Sequence, residues 1–144
     1  MLFRSFRILS SAIVGYQYFT KDNKPVRQKE PFDEAPLDIK EGGKIKPFWA
    51  FIVWNYQFKR VQILELTQKS IMTYIKKALV DNVKWGDPKM YDITVNKTGE
   101  GLDTEYTVAG EPPLSEPSEE IKIAFTNKYI NLEALYEGAD PFSH

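Results

Sequence analysis

Between Lys21 and Arg60, cations and flat apolar side chains are interleaved along the chain. Lys24, Arg27, Lys29, Lys40, Lys44 and Lys46 lead into Phe48, Trp49 and Phe51, and Lys59 and Arg60 follow Tyr56. Together these side-chain types suit one chemistry. Cations track successive phosphates, and aromatic faces stack on unpaired bases. Stacking contributes roughly 1–3 kcal/mol per base and tolerates any sequence, because every base has a π-face. Phosphate contacts are expected from Lys24, Arg27, Lys29, Lys44, Lys46 and Arg60. Stacking is expected on Trp49 and Phe51, with Tyr16, Tyr18, Phe48 and Tyr56 as secondary candidates. Each ring taken singly also fits a hydrophobic core, so the reading rests on the group.

Other chemistries lack material. The 144 residues contain no Cys, and the single His is His144. Disulfides, thiolate or imidazole metal sites, and Ser-His or Cys-His nucleophile pairs have nothing to be built from. Asp33, Glu34, Asp87 and Asp92 stand in no recognisable acid–base or metal spacing. Gly42-Gly43-Lys44 lacks the upstream strand and the spacing of a phosphate loop. No metal, no cofactor and no catalysed reaction is therefore expected.

The formal net charge of −1 conceals a division. Residues 1–86 carry 15 Lys and Arg against 8 Asp and Glu, a balance of +7; residues 87–144 carry 4 against 12, a balance of −8. A basic front and an acidic back is the asymmetry of a polyanion binder with an acidic tail, although a mixed surface segregated by chance gives the same numbers. No run approaches the roughly 18 apolar residues of a membrane span. The opening MLFRSFRILSSAIVGYQYF has the cations and apolar stretch of a secretion signal. Ser10 and Ser11 interrupt it, however, and aromatics stand where a small-residue cleavage site belongs, so an intracellular location is expected.

The elements that must position these residues follow from periodicity. Phe6–Thr20 alternates loosely and predicts a first strand, with Val14, Tyr16 and Tyr18 on one face and Ile13, Gln17 and Phe19 on the other. Lys21–Pro25 is a turn, and the charged, Pro- and Gly-bearing stretch from Val26 to Pro47 is a long loop. Phe48–Tyr56 is the strongest strand signal. Phe48, Ala50, Ile52, Trp54 and Tyr56 share one face, and Trp49, Phe51 and Val53 the other. One of these faces must enter the core, and the other is either covered or held open as a platform. Gln57–Arg60 turns into a returning strand, Val61–Leu66. Thr67 then caps a helix over Gln68–Asn82 with an apolar stripe of Ile71, Ile75, Ala78 and Leu79, while Lys69, Lys76 and Lys77 lie off the stripe. Tyr91–Lys97, a Gly-containing turn at Thr98–Leu102 and Glu105–Ala109 make a second hairpin.

Five strands with one helix between the third and fourth is the order of an OB-fold, and a plain α+β sandwich shares it. The expected organisation is a mainly β, five-stranded OB-like barrel over residues 1–110. A linker rich in Pro, Ser and Glu and an acidic C-terminal tail follow over residues 111–144. In the tail, a last helix packed on the barrel through Ile130, Leu132, Leu135 and Tyr136 competes with a free arm.

The stretches FRILS, DNKPVR, EPFDEAPLDI, KPFWAFIVWNY, ILELTQKSI, WGDP, YDITVNKTGEGLDTEYTV and EPP, from about residue 6 to residue 113, resemble a family of small phage single-stranded DNA-binding proteins. GKIKPFW is more distantly similar to the core of the T-even phage helix-destabilising protein, where a basic stretch runs into paired aromatics on an OB strand. That relative carries a zinc subdomain made from Cys and His. Without those residues this chain should lack zinc, and its loop at 21–47 must be held by other contacts or ordered by DNA. The resemblance implies sequence-tolerant single-stranded DNA binding in phage replication, recombination or repair. It also implies replication or recombination proteins as partners of the acidic tail, with Glu133, Glu137, Asp140, Pro141 and Phe142 as the partner-binding residues. Ser143 and His144 after the aromatic depart from the usual tail ending. A single-stranded RNA binder and a protein-interaction or structural barrel are the alternative readings. The sequence leaves monomer and homodimer open.

Overall fold

The computed structural model describes residues 5–111 and 115–143, apart from the side chain of Ala78. Pro112, Pro113 and Leu114 of the expected linker, and His144, lie outside the described residues. Among the described residues seven antiparallel strands form one sheet. They are β1 (Ser5–Ile8), β2 (Ile13–Phe19), β3 (Pro25–Gln28), β4 (Lys46–Asn55), β5 (Arg60–Leu66), β6 (Asp92–Thr98) and β7 (Glu105–Glu111).

The predicted first strand is present but broken. β1 and β2 lie end to end along one edge of β4, with Ile8 opposite Val53 and Ile13 opposite Ala50. The break at Leu9–Ala12 keeps its hydrogen bonding, because the Leu9 N–H donates to the Ile52 carbonyl at 2.8 Å and the Ile52 N–H to Ser10 Oγ at 2.9 Å. The other edge of β4 pairs with β5, from Trp49 opposite Leu66 to Asn55 opposite Arg60. β6 joins the free side of β1, with Phe6 opposite Ile93, and β7 closes the second hairpin on β6. β3 occupies the end of the predicted Lys21–Pro25 turn and the start of the predicted Val26–Pro47 loop, a correction to both. It pairs with β2, and Gly15 makes this close approach possible: a Cβ there would lie 2.3 Å from the Gln28 carbonyl oxygen.

No ladder joins β5 to β7 among the described residues, so the sheet is open. The expectation of a closed five-stranded barrel is corrected in that respect. The open side is filled by a helix. α1 (Lys69–Tyr74) runs into a π-helical turn, Ile75–Val80, and together they occupy the predicted helical span. Ile71, Met72, Ile75 and Leu79 are buried against Phe6, Phe51, Val53, Leu64, Leu66, Tyr91, Ile93 and Val95 in the main core.

The opposite face of β4 is also covered. α2 (Glu119–Asn127) and a 3₁₀ segment, Leu132–Glu137, lie on it. Ile121, with Phe125 and Ile130, packs against Ile52, Trp54 and Val61. Leu135, with Leu132 and Tyr136, packs against Phe48 and Ala50. Of the two readings of the C-terminal region, the structure therefore has the packed segment. Both faces of the β4 strand are buried, which explains its continuous apolar sequence. Among the described residues no helix is long and apolar enough to cross a membrane, and no group of His, Cys, Asp and Glu could hold a metal ion.

Candidate nucleic-acid interface

Strand alternation separates residues that are adjacent in sequence. Trp49, Phe51 and Val53 point to the α1 side of the sheet, and Phe48, Ala50, Ile52 and Trp54 to the C-terminal side. Phe51 is 2% exposed, its ring centroid 6.4 Å from that of Phe6, and Phe48 is fully buried with Tyr136 at 6.1 Å. Neither can receive a base, so the expectation that they stack is corrected. Tyr18 is buried as well. Its hydroxyl donates to Asp38 Oδ1 at 2.9 Å, and its ring meets Phe32 edge-on at 5.3 Å. These contacts hold the 21–47 loop, helped by the Thr20–Ile39 bridge and by the Lys40 N–H donating to the Phe19 carbonyl at 2.8 Å. Tyr56 is half-buried and donates to Asp92 Oδ1. Burial first, and then that carboxylate, push its phenol up to about 12, so it stays neutral and structural.

Arg27 is likewise committed to the fold. Its Nε donates to Gln17 Oε1 at 3.0 Å, its Nη2 pairs with Glu65 Oε1 at 3.0 Å, and its guanidinium lies 5.8 Å from the Phe48 centroid. The expectation that it grips phosphate is corrected. Arg7, which sequence reading passed over, is buried and ties four segments together. It donates to Asp92 Oδ1 at 2.7 Å, to the Lys89 carbonyl at 3.1 Å and to the Ser115 carbonyl at 2.7 Å.

Lys24, Lys29, Lys44 and Lys46 are exposed, and their ammonium groups form no ion pair among the described residues. Arg60 is exposed at the far end of the β4–β5 hairpin, its guanidinium 5.2 Å over the Phe58 ring. Lys46 alternates with Pro47 and Trp49, so it leaves β4 on the side away from the indole. The structure therefore does not gather the loop cations around Trp49.

What it gathers around Trp49 is different. Trp49 is half-buried between Val14 on β2 and Leu66 on β5. It lines a cleft of about 490 Å³ between the β1–β2 break and the π-turn. Ile8, Val14, Ile75 and Val80 continue the apolar wall. Ser11, Lys76 and Lys89 supply donors around it, Ser10 lines it with its hydroxyl given to the Ser11 carbonyl at 3.1 Å, and Asp87 is the one acid in the lining. The Asp87 carboxylate is turned to its own chain, accepting the Lys89 N–H at 2.9 Å. Val14 is exposed, and Tyr16, next along the same face of β2, is half-buried, so the flat apolar surface continues outward from the indole. Sequence reading found Trp49 and Tyr16 but missed Ser10, Ser11, Lys76, Val80 and Lys89. Lys76 was visible as a lysine off the helical stripe.

The expected partner-binding residues do not form a free arm. Gly138 ends the 3₁₀ segment at φ 67°, the Asn131 N–H donates to the Pro141 carbonyl at 2.7 Å, and the Phe142 N–H to Asp140 Oδ1 at 2.9 Å. Glu133, Glu137 and Asp140 face solvent, and Lys128 Nζ lies 5.1 Å over the Phe142 ring. No protein-family model, curated protein or solved structure matches the chain.

Proposed function

We propose that this chain binds single-stranded DNA without sequence preference on an open, OB-like scaffold, and that it catalyses no reaction. The strand pairing supports the scaffold. A first strand broken into β1 and β2 pairs with β4, its β1 part also with β6, the helix lies between β5 and β6, and no ladder joins β5 to β7 among the described residues. In OB-folds the face of the second and third strands takes the oligonucleotide. Here the outward side of β4 and β5 is covered by the C-terminal segment, so the site moves to the mouth of the open barrel.

The observation that carries the proposal is the cleft at Trp49. An indole forms part of an apolar wall, and Lys76 and Lys89 line the same cleft on flexible stems suited to phosphates, Lys76 in an exposed pair with Asp81. The loop lysines Lys24, Lys29, Lys44 and Lys46 add long-range attraction and not direct stacking geometry. Phage replication, recombination or repair is the setting the sequence resemblance implies, in the host cytoplasm. The solvent-facing carboxylates of the C-terminal segment are the surface offered to replication proteins.

Titration with oligo-dT tests the proposal. Intrinsic tryptophan fluorescence is expected to be quenched in dilute buffer, and the quench to be lost when Trp49 is replaced by Phe. Three to five neutralised phosphates predict that log K falls with log salt at a slope of about −2 to −3.5. A flat trace at low salt removes the reading and leaves a protein-interaction barrel. Tighter binding of oligo-rU than of oligo-dT moves it to RNA.

A further inference from the structure

We propose a second nucleotide-binding subsite on the solvent face of α1, formed by Tyr74 between Lys69 and Lys77. It rests on the reading of the chain as a single-strand binder and extends the bound strand from the Trp49 cleft across the helix.

The helix needs only one face for the core, and Ile71, Met72, Ile75 and Leu79 supply it. The opposite face carries Lys69, Ser70, Thr73, Tyr74 and Lys77, which line a groove of about 560 Å³ with no carboxylate among them. Tyr74 is 43% exposed. Its ring has no aromatic or cationic neighbour among the described residues. A half-exposed flat ring without a ring or cation–π partner, lining one groove with two lysines, combines the same two side-chain types as the cleft. An acidic peptide would engage the lysines and leave the ring idle; an unpaired nucleotide engages both.

The groove adjoins the cleft. Lys76 lines the cleft, and its chain neighbour Lys77 lines the groove. Both stand on the π-turn, where the Asp81 N–H donates to the Lys76 carbonyl at 2.8 Å. Such widened turns are frequent at functional sites. Lys76 also meets Asp81 Oδ2 at 3.0 Å, but both groups are exposed, and so weak a pair yields readily to a phosphate. Residues 67–86 hold four lysines and one acid, which favours a polyanion along the whole helix.

The test uses the full chain with two oligo-dT lengths. One of about 4 nucleotides fills the cleft alone, and one of about 12 reaches the helix, both within the range of site sizes for such folds. Tyr74→Ala is expected to bind the short oligomer as the wild type does and the long one about tenfold more weakly. Tyr74→Phe keeps the stacking face and is expected to restore the long-oligomer affinity. Lys69→Gln with Lys77→Gln should lower the salt slope for the long oligomer by about 1.4. Irradiating the wild type with a long oligomer carrying 5-iodouracil should place an adduct on Tyr74. Equal affinity of Tyr74→Ala and wild type for the long oligomer, with quenching by the short one intact, overturns the subsite alone. Failure of the wild type to bind either oligomer overturns the function and the subsite together.

Discussion

Phe51→Ala is expected to lower folding stability by about 3–5 kcal/mol, with the smaller effect on oligo-dT affinity, because Phe51 lines the Trp49 cleft but is only 2% exposed. Trp49→Ala is expected to do the opposite in emphasis, weakening oligo-dT binding by about 1–3 kcal/mol with a smaller loss of stability. The two residues lie two apart on one strand face, so alternation alone does not distinguish them. Depth does. Phe51 sits among Phe6, Ile8, Leu64 and the helix, 2% exposed, and removing its ring leaves a cavity that the surrounding sheet cannot close. Trp49 stands where β4 passes the end of the helix, half in contact with the core and half in the cleft. Urea unfolding of both variants, beside fluorescence anisotropy with labelled oligo-dT, separates the two effects. Anisotropy supplies the binding signal because Trp49→Ala removes the indole whose quenching reports binding and leaves only Trp54 and Trp85. A Trp49→Ala protein that unfolds like Phe51→Ala and binds like the wild type would assign the indole wholly to the core.

The order strand, hairpin, helix, hairpin was legible in the sequence because each element carries its own period: the two-sided apolar run of β4, the Ile71–Leu79 stripe, and the turn glycines between β6 and β7. β3 was not, since a four-residue strand containing Pro and two polar residues is specified by its partner β2 and by Gly15, not by its own composition. The roles of the aromatics were misread for a related reason. Alternation correctly divides Phe48 from Trp49, yet whether a face is open depends on what lies over it, and Ile121 and Leu135 come from more than 60 residues further along the chain. The cleft has the same character. Ser10, Trp49, Lys76 and Lys89 come from four separate stretches of the chain, and only the fold makes them neighbours. Arg27 shows the limit from the charge side. A cation in a basic loop looks available until Glu65 and Gln17 are found against it.

The C-terminal segment gives the second large effect. Removing, after Pro113, an acidic tail that competed with DNA for a basic groove would raise affinity at low salt. The packing leads to a different outcome. Ile121, Ala134 and Leu135 are buried, and beneath them Phe48, Ala50, Ile52 and Trp54 are all shielded from water. Tyr136 donates to the Val14 carbonyl, and Lys128 Nζ to the Val61 carbonyl at 3.0 Å, so the segment is also hydrogen-bonded to two strands. Returning three or four large apolar side chains to water at about 1.5–3 kcal/mol each costs at least about 5 kcal/mol. That is comparable with the whole stability of an ordinary domain, about 5–15 kcal/mol. A chain ending at residue 113 is therefore expected to lose its cooperative thermal transition, to bind a hydrophobic dye and to aggregate. Replacing Glu133, Glu137 and Asp140 by Gln instead removes the solvent-facing charge and keeps the packing. Any electrostatic competition with DNA then shows as tighter oligo-dT binding at low salt, with an unchanged melting temperature. If the truncated chain melts like the full one and binds DNA more tightly, the segment is a detachable arm, and the face of β4 that carries Phe48 and Trp54 becomes the DNA-binding surface.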